Sequence, residues 1–281
     1  MTVATLAKEI PLPIEQALPI YAVGLGLLYA CVFVYRRLLN RVRLRGGQVR
    51  SDLFGLPDTL VVGVFIVLMT LALAMQWIFP KMAESSAGLQ IVSSVLFVSL
   101  PVILALMIVR GISVSHVFGL NRVNPIRALG VAVGLIVVLL PVIMIVTYIA
   151  YQILDGRVEQ QEMVTKFREA AKDGKRDVIW QVTLTATLIA PLIEEFLFRG
   201  YFYPVMKRIT GPLPAAIAIS LFFGAIHYNA AGFPVLTVLA LALTLAYEWS
   251  GSILVPIFMH ACFNSIMLAL MWWQTRGGAT P

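Results

Sequence analysis

ALGVAVGLIVVLLPVIMIVTYIAYQI, residues 128–153, runs 26 positions without an acidic or basic side chain. A helix that crosses the hydrocarbon core of a bilayer needs about 20 consecutive apolar residues, roughly 17–25. This stretch is long enough to cross unaided. Comparable runs lie at 17–36, 59–79, 88–109, 178–206, 213–230, 233–249 and 252–273. Lipid offers a backbone no hydrogen-bond partner, so runs of this length must be helices. The strand alternation of a membrane barrel is absent. The expected fold is therefore all-α: a polytopic transmembrane bundle of about eight helices.

Composition agrees. Of 281 residues, 60% are hydrophobic and only 12% charged, against about 25% charged in soluble domains. The net charge of +7 does not point to nucleic acid, because the basic residues sit between apolar runs. Arg36, Arg37, Arg41, Arg43, Arg45 and Arg50 crowd one such loop, and 110–127 is another. Two crossings separate these loops, so they share a side, and the positive-inside rule makes that side cytoplasmic. Lys207 and Arg208 fit the same scheme. An even helix count then leaves both termini external to a cell membrane. Residues 1–16 lack the basic start of a signal peptide, so the first run is expected to be retained. Cys31 and Cys262 lie in apolar runs and read as buried free thiols, not a disulfide framework.

Segment 155–177 would be external, yet it carries six basic and six acidic residues. Within it Met163, Val164, Phe167, Ala170 and Ala171 follow helical spacing, and Asp173-Gly174 is a plausible stop. An amphipathic helix at the membrane interface and a solvated linker helix are both consistent with that pattern. Residues 1–174 thus carry four membrane helices plus this segment. Residues 175–281 carry the chemistry-bearing helices of the same single domain.

Ionisable groups inside the runs are the functional clue. Glu194 and Glu195 lie well inside one run, Glu248 ends another, and His227 and His260 lie in two more. Such a group at bilayer depth costs about 2.5–3.5 kcal/mol on insertion scales, so it must pair, face water or do a job. In APLIEEFLFRG, 190–200, Glu195 and Arg199 are four apart and can pair on a helix. Glu194 is then left on an adjacent face. Pro191 deprives the helix of one donor and disturbs the Thr187 carbonyl, so a kink beside the glutamates is expected. FGAIH, 223–227, puts Phe223 and His227 on one face, and HACFN, 260–264, does the same for His260 and Asn264. Each motif alone has a bland alternative: an Arg–Glu staple, a packing histidine, an interhelical hydrogen bond. Convergence of all three on one polar cavity is the simpler account.

A glutamate and a histidine can share the activation of one water as base and acid, and His260 and Asn264 are donors suited to an oxyanion. That combination reads as amide hydrolysis. Ser252 and Ser265 lack a nucleophile motif, and Cys262 has apolar neighbours. No cofactor is expected. Zinc held by two histidines and a carboxylate is the alternative, weakened by the lack of a His-Glu-x-x-His helix.

At these residues the chain resembles the CAAX-protease and bacteriocin-processing (CPBP) family, which includes the Rce-type intramembrane glutamic endopeptidases. The resemblance rests on Glu194-Glu195 with Arg199, Phe223 with His227, His260 with Asn264, and the flanks Ala190-Pro191, Phe198-Arg199-Gly200 and Gly251-Ser252-Ile253-Leu254. It covers roughly 175–270 and implies an eight-helix bundle around a polar cavity. It implies that Glu194 and His227 activate water, that His260 and Asn264 form the oxyanion site, and that Glu195, Arg199 and Phe223 support them. The expected function is endopeptidase cleavage of a membrane-associated peptide or protein, with membrane lipid as the other partner. A non-catalytic peptide-binding or immunity protein, or a small proton-coupled transporter, would also use such a cluster. Depth raises a conflict. A helix starting at Pro214 puts His227 about 20 Å along it, whereas Glu194 should lie nearer the middle of its own helix.

Overall fold

A computed structural model of the chain describes residues 14–78, 87–154, 162–227 and 229–277. Ten helices, and no strand, occur among the described residues: α1 Ile14–Arg45, α2 Leu56–Ile78, α3 Ala87–Val109, α4 Val114–Val117, α5 Pro125–Ile153, α6 Glu162–Asp173, α7 Arg176–Thr210, α8 Pro212–Ala225, α9 Gly232–Ser250 and α10 Leu254–Gly277. Six are long and apolar enough to cross a membrane: α1, α2, α5, α7, α9 and α10. The apolar stretches of α3 and α8 complete the eight expected runs. The protein is an integral, multi-pass membrane protein. The start of the chain through residue 13, and residues 155–161 of the amphipathic segment, lie outside the described residues.

Segment 36–45 is not a loop. α1 continues through it to Arg45, because arginine is a good helix former once its head leaves the lipid. α5 packs against α1, α9 and α10. Ala128, Ala132, Leu239, Ala242, Ala246 and Met259 are buried there, and the small residues let the helix backbones approach. A second, aromatic core joins α2, α7 and α8. Phe65 meets Phe202 at 4.5 Å, and Phe198 meets Phe223 edge-on at 5.0 Å. α6 ends at Asp173 as expected. It buries Phe167, Ala170 and Ala171 and packs on α7 and α10, with Phe167 against Trp272. Met163, expected on this face, is 40% exposed.

The basic segments gather at one end of the bundle. Arg50 Nη1 lies 2.6 Å from His116 Nε2, Arg122 donates to the Gln48 carbonyl, and Arg208 donates to that of Asp52. Glu248, 1% exposed, is clamped there. It accepts from Tyr203 Oη at 2.5 Å, Lys207 Nζ at 2.6 Å and the Val49 N–H at 3.0 Å. Asp58 accepts from Arg110, from Tyr201 Oη and from the Gly55 N–H. Gly251 caps α9 at φ 66°, a left-handed conformation that favours glycine. A Cβ there would also collide with Arg122.

Candidate functional site

α7 carries the glutamates between two wide turns, Thr185–Ile189 and Phe196–Phe202, where hydrogen bonds run from i to i+5. The Ala190 N–H reaches back to Thr185 instead of Ala186, and Pro191 has no N–H to offer. The Ala186 carbonyl, so released, accepts from Asn264 Nδ2 at 2.7 Å. The disturbance expected at Pro191 is therefore a π turn just ahead of it, and the second π turn stands likewise just ahead of Pro204, a form common at functional sites.

Glu195 and Arg199 pair at 2.8 Å with neither side chain exposed. The same Glu195 oxygen lies 2.8 Å from His260 Nδ1. Arg199 also donates to the Ala240 carbonyl of α9 at 3.0 Å, and its guanidinium sits 4.8 Å over the Phe223 ring. Besides Phe198, that ring meets the imidazoles of His227, at 4.6 Å, and His260, at 6.0 Å. Phe223 is thus the apolar post around which cation and imidazoles are arranged.

Glu194 differs from its neighbour. Its side chain is 22% exposed, and Oε2 faces His260 Nε2 at 3.8 Å and His227 Nε2 at 4.0 Å. Both separations exceed a hydrogen bond, and Oε2 has no hydrogen-bond partner, as is also true of the buried Oε2 of Glu195. His227 is 21% exposed. Its Nδ1 lies 2.6 Å from the Phe223 carbonyl. A carbonyl can only accept, so Nδ1 bears a proton, and Nε2 is the nitrogen turned toward Glu194. That carbonyl is free because α8 stops at Ala225 and the His227 N–H bonds to Gly224 instead.

The depth conflict disappears when both helices are measured from their shared turn at Gly211. Glu194 lies 17 positions before it and His227 16 after, about 24–26 Å along either helix. The expected helix through residue 230 is cut short, and His227 occupies the turn beyond α8.

Glu194, Glu195, Arg199, Phe223, His227 and His260 therefore form one cluster. Asn264 stands a turn further along α10, its amide engaged at Ala186. Sequence reasoning had no means of naming the Ala186 and Ala240 carbonyls, which any residue type supplies. It also passed over Thr237, whose buried hydroxyl has no partner and abuts Gly224. Among the described residues no three His, Cys, Asp or Glu side chains are grouped to hold a metal ion.

Residues 176–266, which span α7 to α10 and contain this cluster, match the family model described as "Type II CAAX prenyl endopeptidase Rce1-like". A protein of Bacillus subtilis (strain 168) named "Putative membrane peptidase YdiL" is 26% identical over 103 residues. That match covers 36% of this chain and 42% of the relative, so the chain spans less than half of the relative's length. No solved structure matches.

Proposed function

We propose that the protein is an intramembrane endopeptidase that hydrolyses a peptide bond of a membrane-associated protein or peptide through a water activated by Glu194 and His227, without a metal. The observation that carries this reading is the asymmetry of the glutamates. Glu195 is enclosed, with Oε1 held by both Arg199 and His260, whereas Glu194 is 22% exposed, outside hydrogen-bond reach of any cation, and turns Oε2 toward two imidazole nitrogens. The family-level match over 176–266 and the name of the Bacillus relative support a membrane protease.

Glu194 takes a proton from water as the oxygen attacks the scissile carbonyl, and returns it to the leaving amine. Such acid–base work contributes about 10²–10⁴-fold. The His227 lone pair orients the water's second hydrogen. His260 donates to the oxyanion from Nε2 as an imidazolium, balanced at Nδ1 by the Glu195 carboxylate. Asn264 adds the amide hydrogen not used at Ala186.

Purified protein in liposomes, given a library of membrane-anchored peptides, is expected to cleave with chelator present. Glu194→Gln should reduce cleavage at least a hundredfold while the protein stays folded. Full activity in that variant refutes the mechanism, and loss of wild-type cleavage in chelator refutes its metal independence.

A further inference from the structure

Far from this cluster, a groove lies between the last turns of α1 and the end of α9. Arg37, Arg41 and Arg45 line it at four-residue spacing, so they stack on one helix face. Leu38, Leu44 and Trp249 provide its apolar lining. Leu38 is 4% exposed and Leu44 82%, so the lining runs from the helix contact out to the surroundings. No acidic side chain pairs with any of the three arginines among the described residues.

Membrane orientation alone would be served by arginine on any face, as Arg36 and Arg43 do. It does not account for three guanidiniums without an acidic partner along one groove, about 12 Å from first to last, of which only that of Arg37 rests on an aromatic ring among the described residues, 4.4 Å over Phe33. Each guanidinium offers a planar fork matched to phosphate oxygens. The groove begins where the apolar part of α1 ends, at headgroup level, and tryptophan is a typical residue of that zone. A free phosphate ion would make no use of the apolar lining. The glycerol and first acyl carbons of a lipid would.

We propose that this groove binds the headgroup phosphate of an anionic phospholipid, which ties α1 to α9. The test is native mass spectrometry of the full, delipidated chain titrated with phosphatidylglycerol or phosphatidylcholine. Phosphatidylglycerol should bind at least tenfold more tightly. Arg41→Gln/Arg45→Gln should abolish that preference, whereas Arg36→Gln/Arg43→Gln, equal in charge but outside the groove, should keep it. Arg41→Lys, which keeps charge and fold but loses the fork, should weaken binding several-fold. Equal weakening by the two double variants overturns the proposal. So does an unchanged Arg41→Lys, an absent lipid preference, or displacement of the lipid by millimolar inorganic phosphate.

Discussion

Two adjacent glutamates in α7 meet opposite environments, and the difference is measurable without any substrate. Glu195 is fully buried and balances Arg199, itself fully buried. Glu195→Gln keeps the shape and removes the charge, leaving a cation enclosed in protein. Removing one partner of a buried pair costs about 3–5 kcal/mol, so chemical unfolding in detergent should show a loss of that size. Glu194→Gln removes a carboxylate that is 22% exposed and lies 3.8–4.0 Å from its nearest imidazole nitrogens, and its stability should be unchanged or slightly higher, since a partly buried charge without a hydrogen-bonded partner is itself unfavourable. Equal losses in the two variants would refute the division of roles. This division was legible in the sequence, because only Glu195 stands four residues before Arg199. The second bond of Glu195, to His260 65 positions on, was not, because the intervening chain decides which helix faces meet.

At the scale of elements, the site depends on how closely α8 approaches α9. A Cβ at Gly224 would strike the Thr237 hydroxyl and the Phe233 carbonyl of α9. Gly224→Ala should therefore push the helices apart, at about 1–3 kcal/mol for overpacking, and carry His227 away from Glu194. Stability and peptide cleavage should both fall, although no group proposed for the chemistry is altered. Adding Thr237→Ala removes the nearer obstacle and should restore part of each. A Gly224→Ala protein with wild-type cleavage would show that the α8–α9 spacing does not set the site. Helix existence was legible at this scale because hydrocarbon demands long apolar runs. Helix register was not. The π turns of α7 and the early stop of α8 shift hydrogen bonds by one residue without changing any apolar pattern. That shift is what frees the Ala186 carbonyl for Asn264 and the Phe223 carbonyl for His227.

At the scale of the whole molecule, the loops expected to share a side do touch. Arg50 meets His116, Arg122 meets the 48 carbonyl, and Lys207 and Arg208 bond the backbone at Val49 and Asp52. Their common side follows from charge counting between crossings, whereas their particular partners, such as Glu248 beneath Val49, join residues 199 apart and no local pattern reports them. Concentrated arginine and lysine should hold this end in the cytoplasm. α6 stands at the other end of α7 and α10, so it should be external. Single cysteines at Arg43, beside the groove of α1, and at Lys172, in α6, separate the ends. Both parent positions are exposed, and native Cys262 and Cys31 are first replaced by serine. An impermeant maleimide added to intact cells should label Lys172→Cys, and should label Arg43→Cys only after the membrane is opened. The reverse pattern would invert the molecule and place the anionic-lipid groove in the outer leaflet. Labelling of both positions in intact cells would mean that the basic end does not fix a single orientation.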